Sequence, residues 1–431
     1  MANNREALQS YLARISNSLD TENGALLASL VKINDAHAKT LQPVVRSMKV
    51  QALESTVRNR LDENWAEVVC GHLKVLKEMA NATGSNGFGS ESGGGIDIPE
   101  VVAAELQNST AQAFHQFFPS QTRWCLPVLY ALNGDLWSLS AQADDVSRKR
   151  GSKAGRLEEA ARTMNKAFSY CVTDRFSPLE RSRKWGTYHI VNLLFKTYFK
   201  LTQTNLCSTI LRSVAAGDLP DLERYPIADQ VTFKFYVGVL SFYNEQYKKA
   251  EEELSFALWH CPTGKGKQAR KRIEKIRILI LNYLIPTRFI LGFLPSASLF
   301  IKYPALDYLY GNFALAIRRG DVRLFDETLY RLQRDLINRG TYLTVERARA
   351  LAARMLFKKV WLINQRSTRI PMAQFQRALH LAGTDVTPDA VACMLANMID
   401  KGYLKGYLSF EKQMVVTAKE DPFPNLKVVS V

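Results

Sequence analysis

Cysteine is scarce. There are six in 431 residues, at positions 70, 125, 171, 207, 261 and 393, and no two have C-x-x-C spacing. That excludes a disulfide framework and a zinc ribbon, and leaves buried free thiols in a reducing compartment. Cys70 lies beside His72, and His260 beside Cys261, but nothing completes a four-ligand set, so no metal site is expected. Long apolar runs are also lacking. The best, IRILILNYLIPTRFILGFLPSASLFI (276–301), is interrupted by Asn282, Pro286, Arg288 and Pro295. It reads as two buried helices around a proline break rather than a membrane span. No signal peptide is expected, because MANNREALQSYLARISNSL is amphipathic rather than a short apolar core before a cleavage site. Catalytic motifs are missing as well. There is no P-loop, no G-x-G-x-x-G after a strand, no G-x-S-x-G and no H-E-x-x-H, and the six histidines lack paired acids at useful spacing. No catalytic, cofactor-binding or metal-binding residue is assigned, and the chain is expected not to be an enzyme.

What the sequence has in excess is positive charge. Lys and Arg number 57 against 41 Asp and Glu, a net charge of +16. Such a chain favours polyanions or acidic partners. Apolar residues at 47% and charged residues at 23% are the balance of an ordinary globular protein. The charge is uneven: residues 1–80 carry +1, residues 97–146 carry −5, and residues 147–431 carry +21. Any polyanion site is expected after residue 146.

The chain divides by composition. Leu8, Leu12, Ile15 and Leu19, then Trp65, Val68, Val69, Leu73 and Leu76, recur at helical spacing and predict a helical N-terminal unit over 1–80. Residues 81–96 are rich in Gly and Ser and read as a flexible loop. From 97 to 343 helix follows helix. Break signals fall at Asn133-Gly134, Gly151, Ser177-Pro178, Gly217-Asp218, Cys261–Gly264, Gly320-Asp321 and Gly340. Within FKFYVGVLSFYNEQYKKAEEELSFALWHCP (233–262), Gly238, Tyr247, Ala250, Leu254, Ala257 and Pro262 sit where a tetratricopeptide repeat needs them, with a weaker echo at 157–174. This predicts a right-handed TPR-like helical solenoid.

Residues 344–431 change character. A longer helix (344–365) precedes a short one (371–383). Thr387-Pro388-Asp389 is a strong helix start, followed by Val391, Met394, Leu395, Met398 and Ile399 at helical spacing and a stop at Gly402. YLKGYLSF and KQMVVTA then suit a β-hairpin around Glu411-Lys412. Helix, helix, hairpin is the order of a winged helix. The fold expected is mostly α: TPR-like repeats followed by a C-terminal winged helix.

That combination resembles the PCI domain, here over roughly 225–417. The likeness extends to RKWGTYHIVNLLFKTYFKL (183–201), VTFKFYVG (231–238), AEEELSFALWHC (250–261), ILNYLIPTRFILG (280–292), ANMIDKGYLKGYLS (396–409) and the tail DPFPNL (421–426). These blocks are similar to one PCI subgroup, which holds the PCI subunit of the nuclear transcription-coupled mRNA export complex and the twelfth-subunit homologue of the COP-nine signalosome. The resemblance implies a non-enzymatic scaffold of the nucleus, with the cytoplasm left open. It implies pairing with a second PCI protein through the winged helix and binding of a small acidic Sem/DSS-type protein on the helical repeats. It also implies a basic surface for RNA or DNA backbone, with no membrane and no small-molecule substrate. The alternative is a structural subunit of a signalosome-like, proteasome-lid-like or splicing-associated complex that touches no nucleic acid.

The candidate nucleic-acid residues follow from charge. GKGKQARKRIEKIR (264–277) sets Lys265, Lys267, Arg270, Lys271, Arg272, Lys275 and Arg277 against Glu274 alone. On a helix, Lys267, Arg270 and Lys271 share a face with Glu274, and Ile273, Ile276 and Ile280 point to the core. Such a stripe binds phosphates without reading sequence. A second group joins Arg354, Lys358 and Lys359 on the helix before the winged helix to Lys401, Lys405 and Lys412 near the wing. The second winged-helix helix exposes Cys393, Asn397, Asp400 and Lys401, a poor set for reading base edges. SRKRGSKAGR (147–156) is a basic loop or localisation signal, and Arg181, Arg183 and Lys184 form a weaker group. Trp185, Tyr188, Phe195, Tyr198 and Phe199 have helical spacing and read as core.

Overall fold

The structure is a computed structural model that describes residues 2–84, 98–175, 178–264 and 266–426. Most of the loop expected at 81–96, from residue 85 on, lies outside the described residues, as do Ser177 and Lys265. The chain forms two compact units, Met1–Phe233 and Lys234–Val431.

Among the described residues, the regular structure of the first unit is all helical. Its long helices are Ala2–Asp20, Glu63–Gly84, Pro99–Phe117, Leu126–Lys149 and Arg156–Val172; the last four pack in succession, and the first lies on Gly24–Val31 and Ala36–Ser47. The N-terminal helices share this core. Trp65 meets Phe114, Phe117 and Trp124 with ring centroids 5.8, 5.0 and 6.1 Å apart, and the Ile33 amide donates to Asp135 Oδ2 at 2.9 Å. The break expected at Asn133-Gly134 does not occur. The helix Leu126–Lys149 runs through it, because Asn133 is buried and its side-chain amide donates to Leu129 O at 2.8 Å within the helix. Asp144 closes the basic loop that follows by accepting from the amides of Gly155, Arg156 and Leu157 at 2.9, 2.9 and 3.1 Å. These are open amides at the start of a helix, and the carboxylate caps them.

Two buried histidines, His72 and His115, and the half-buried His37 are expected to make this unit acid-sensitive. Burial holds His37 and His115 down to about 4, and burial together with His37 holds His72 down to about 3. The unfolded chain takes up these protons from about pH 6.5 downward, while the folded chain does not until about pH 4. Stability present above pH 6.5 is therefore lost as pH falls through that window. Asp135 opposes this. Burial lifts its carboxyl to about 6, so its contribution grows as pH falls from 6 towards 4. Three groups outweigh one. The melting temperature is expected to drop steadily from pH 6.5 to pH 4 in a thermal scan, and a flat profile would contradict it.

In the second unit, the end of helix Ile227–Tyr243 packs on Tyr247–Trp259 as a repeat pair. Tyr247, Ala250, Leu254 and Ala257 are buried. A Cβ on Gly238 would come within 2.7 Å of Leu254 Cγ, so glycine is what allows the close approach. The next helix, Lys267–Ile290, corrects the expected proline break. It continues through Pro286 and ends at Leu291-Gly292, where Gly292 has φ +80°. Pro286 has no amide to donate to Asn282 O, and Tyr310 Oη supplies that bond instead at 2.9 Å. No helix among the described residues is long and apolar enough to cross a membrane.

The end of the chain is a winged helix. The expected helix at 344–365 is split at Ala348 into Tyr342–Arg347 and Arg349–Ile363. Strand β1 (Arg369–Pro371), the helices Met372–Leu381 and Pro388–Asp400, and strands β2 (Gly406–Ser409) and β3 (Met414–Thr417) follow. Thr387 Oγ1 accepts from the Ala390 amide, and Gly402 ends the second helix at φ +68°. The sheet order is β1-β3-β2, all antiparallel, with Ile370 and Leu408 flanking Val415. Phe357 and Phe375, 5.1 Å apart, anchor the core.

Candidate nucleic-acid interface

The basic helix owes its exposure to how it is packed. It lies on Tyr247–Trp259, Pro304–Arg319 and Tyr342–Arg347, but burial begins only at Ile280. The first thirteen residues, Lys267–Leu279, include no buried side chain. At 1.5 Å per residue that is about 20 Å of helix lying at the surface. Lys267, Arg270, Lys271, Arg272 and Lys275 are all exposed, and none has an ion-pair partner among the described residues. Of the expected apolar face, Ile280 is buried, but Ile273 is only half-buried and Ile276 is 44% exposed, as is Leu279 beside it at 48%. The cations therefore surround a protruding segment rather than forming one stripe. Unpaired cations at this density attract phosphates and release their counterions. Arg277 stands apart, half-buried against the Tyr303 hydroxyl and the Cys261 thiol. It holds the preceding turn onto the helix.

The second group divides in two. Lys401, Lys405 and Lys412 are exposed on the winged helix: at the cap of its second helix, just before β2, and in the hairpin turn. Arg354 is removed from the candidates. It is 5% exposed, its Nε donates to Tyr403 O at 2.8 Å and an Nη donates to Pro424 O, while the guanidinium lies 5.7 Å from the Phe423 ring. Its charge binds the tail to the winged helix and cannot reach a phosphate. Lys358 is half-buried, and Lys359 Nζ donates to Arg319 O at 2.5 Å, at the carbonyl end of a helix. The helix Pro388–Asp400 exposes Cys393, Asn397 and Asp400, with Lys401 just beyond its end, as expected. Strand β2 is a sheet edge whose Tyr407 and Phe410 neighbourhood is open, at 62% and 60% exposure.

The weaker groups resolve similarly. Arg183 is 9% exposed and bonded to Asp174 at 2.6 Å, and Lys184 pairs with Asp218 at 3.0 Å. In the basic run 147–156, the loop expected is limited to 150–155: Arg148, at the end of one helix, pairs with Asp145, and Arg156, at the start of the next, pairs with Glu105 and Glu159, leaving Lys149, Arg150 and Lys153 exposed. Tyr188, Phe195 and Tyr198 are core, and Trp185 lies between the guanidinium groups of Arg123 and Arg224 at 4.6 and 5.3 Å.

The described residues thus form helical repeats running into a winged helix. Sequence comparison narrows the class. The PCI domain family model matches residues 330–419. "Protein CSN12 homolog" of Schizosaccharomyces pombe is 34% identical over 97% of this chain and 97% of its own. The protein of that name in Mycosarcoma maydis is 37% identical over 86% of this chain and 87% of its own. "PCI domain-containing protein 2" of Xenopus laevis is 31% identical over 98% of both. The chain belongs to the PCI-domain family that contains the CSN12 homologues and PCI domain-containing protein 2. Members of this family are generally non-catalytic and assemble with other PCI proteins.

Proposed function

We propose that this protein is a non-enzymatic scaffold subunit that holds nucleic acid backbone in transcription-coupled mRNA export in the nucleus. The observation that carries the reading is the protruding half-helix Lys267–Leu279 with five exposed, unpaired cations. A solvated face needs no such concentration, and sequence-independent phosphate binding does. Lys401, Lys405 and Lys412 extend the contact onto the winged helix. The open β2 edge with Tyr407 and Phe410 suits pairing with a second PCI protein by strand or face addition. A small acidic Sem/DSS-type protein completes the assembly on the helical repeats. A tagged full chain recovered from native extract, with and without nuclease, tests this. A second PCI protein and the small acidic protein should persist through nuclease, while RNA-bound export factors are lost. Recovery of signalosome, lid or splicing subunits with no nuclease-sensitive component would contradict the reading.

A further inference from the structure

Six tryptophans occur in the chain, and five are buried or half-buried. Trp259 is 78% exposed at the last position of the helix Tyr247–Trp259. Its ring meets no other ring and no cation among the described residues. Its neighbour His260 is exposed too, and is held flat against Phe256 with ring centroids 4.0 Å apart and planes 24° apart. Two adjacent ring side chains thus stand at the surface.

Their place matters. Two residues on, Cys261 is buried and interacts with Arg277 of the basic helix. Gly264 presses on the same helix, where an added Cβ would come within 2.7 Å of Ala269 and Ile273. The turn is fastened to the cationic helix at Arg277 and at Ala269 and Ile273, and Trp259 and His260 immediately precede it in the chain. An unpartnered indole leading into a turn that is fastened to a helix of unpaired cations is a composition that can hold an unstacked base while the cations hold the backbone. A duplex offers phosphates but keeps its bases stacked inside. Resting on the phosphate-binding reading above, we infer that this surface takes single-stranded nucleic acid, with a base stacked on Trp259.

The test uses the full chain and two labelled probes of about 15 nucleotides, an oligouridylate and an RNA duplex, read by fluorescence anisotropy. Wild type should prefer the single strand. Trp259→Ala should weaken single-strand binding by about tenfold and leave duplex binding unchanged, while Trp259→Phe keeps most of the affinity. Trp259 is exposed, so an unchanged melting temperature should confirm that each variant is folded. Single-strand binding untouched by Trp259→Ala, yet lost when Lys267, Arg270, Lys271 and Lys275 all become Ala, would overturn the stacking and leave the phosphate surface standing. Equal losses on both probes would also overturn it. A wild-type chain that binds neither probe would overturn both readings.

Discussion

Arg183→Ala should lower the free energy of unfolding by about 3–5 kcal/mol, the usual cost of removing one partner of a buried ion pair. Asp174 is 4% exposed, and its carboxylate accepts from Arg183 Nη2 at 2.6 Å, from the Arg183 amide at 2.7 Å and from Ser182 Oγ at 2.8 Å. A second Arg183 nitrogen donates to Phe118 O at 3.0 Å, and the guanidinium lies 5.5 Å from the Phe118 ring. Burial alone would raise the Asp174 carboxyl, but Arg183 and Ser182 hold it below its ordinary value. Truncating Arg183 strands that charge and frees the segment before helix Thr187–Lys200. Urea titration followed by circular dichroism reads the loss as a lower midpoint. Asp174→Ala should cost a similar amount, and the double variant much less than the sum. A loss under about 1 kcal/mol would mean the pair is not what holds this segment.

Arg354→Ala should cost about 3 kcal/mol, because two buried carbonyls lose a charged donor at once. The effect should be local to the tail. Lys405 N donates to Pro422 O at 2.8 Å, Trp361 packs on Phe423 at 5.9 Å, and Leu426 closes over Gly292. Arg354 ties helix Arg349–Ile363 to both Tyr403 and this tail through hydrogen bonds. Hydrogen exchange should show residues 403–405 and 421–426 opening faster in the variant. Arg354→Lys should not restore protection, since one ammonium cannot reproduce the two-armed fork. Protection unchanged in Arg354→Ala would contradict the tail-anchoring role.

Arg354 also shows where sequence reading ends. Its charge marks it as a surface cation, but it falls three residues from both Leu351 and Phe357, on the buried stripe of its helix. Its spacing from these residues is the one signal in the sequence that points inward. At Asn133-Gly134 and Pro286 local break signals are overridden by hydrogen bonds from Asn133 and Tyr310. The winged helix was legible because its signals agree: an N-cap, a proline at the first position, an apolar stripe, a glycine stop and two alternating strands. Strand β1 was not, since three residues carry no period and Arg369–Pro371 gains its pairing only from β3. The cationic run was plain in sequence. Its exposure was not, because Ile273 and Ile276 continue the spacing of the buried Ile280 and so read as a core face, yet neither is buried. Trp259 had no signal of its own, as an apolar ring at a helix end reads as packing.

The salt dependence of nucleic acid binding tests the central claim most directly. Each phosphate contact on a single strand contributes about −0.7 to the slope of log affinity against log salt. Replacing Lys267, Arg270, Lys271 and Lys275 together by Ala should weaken oligouridylate binding severely and flatten that slope by about 3. The variant should melt as wild type does, since all four side chains are exposed. A slope and affinity unchanged from wild type would show that the basic helix does not touch nucleic acid.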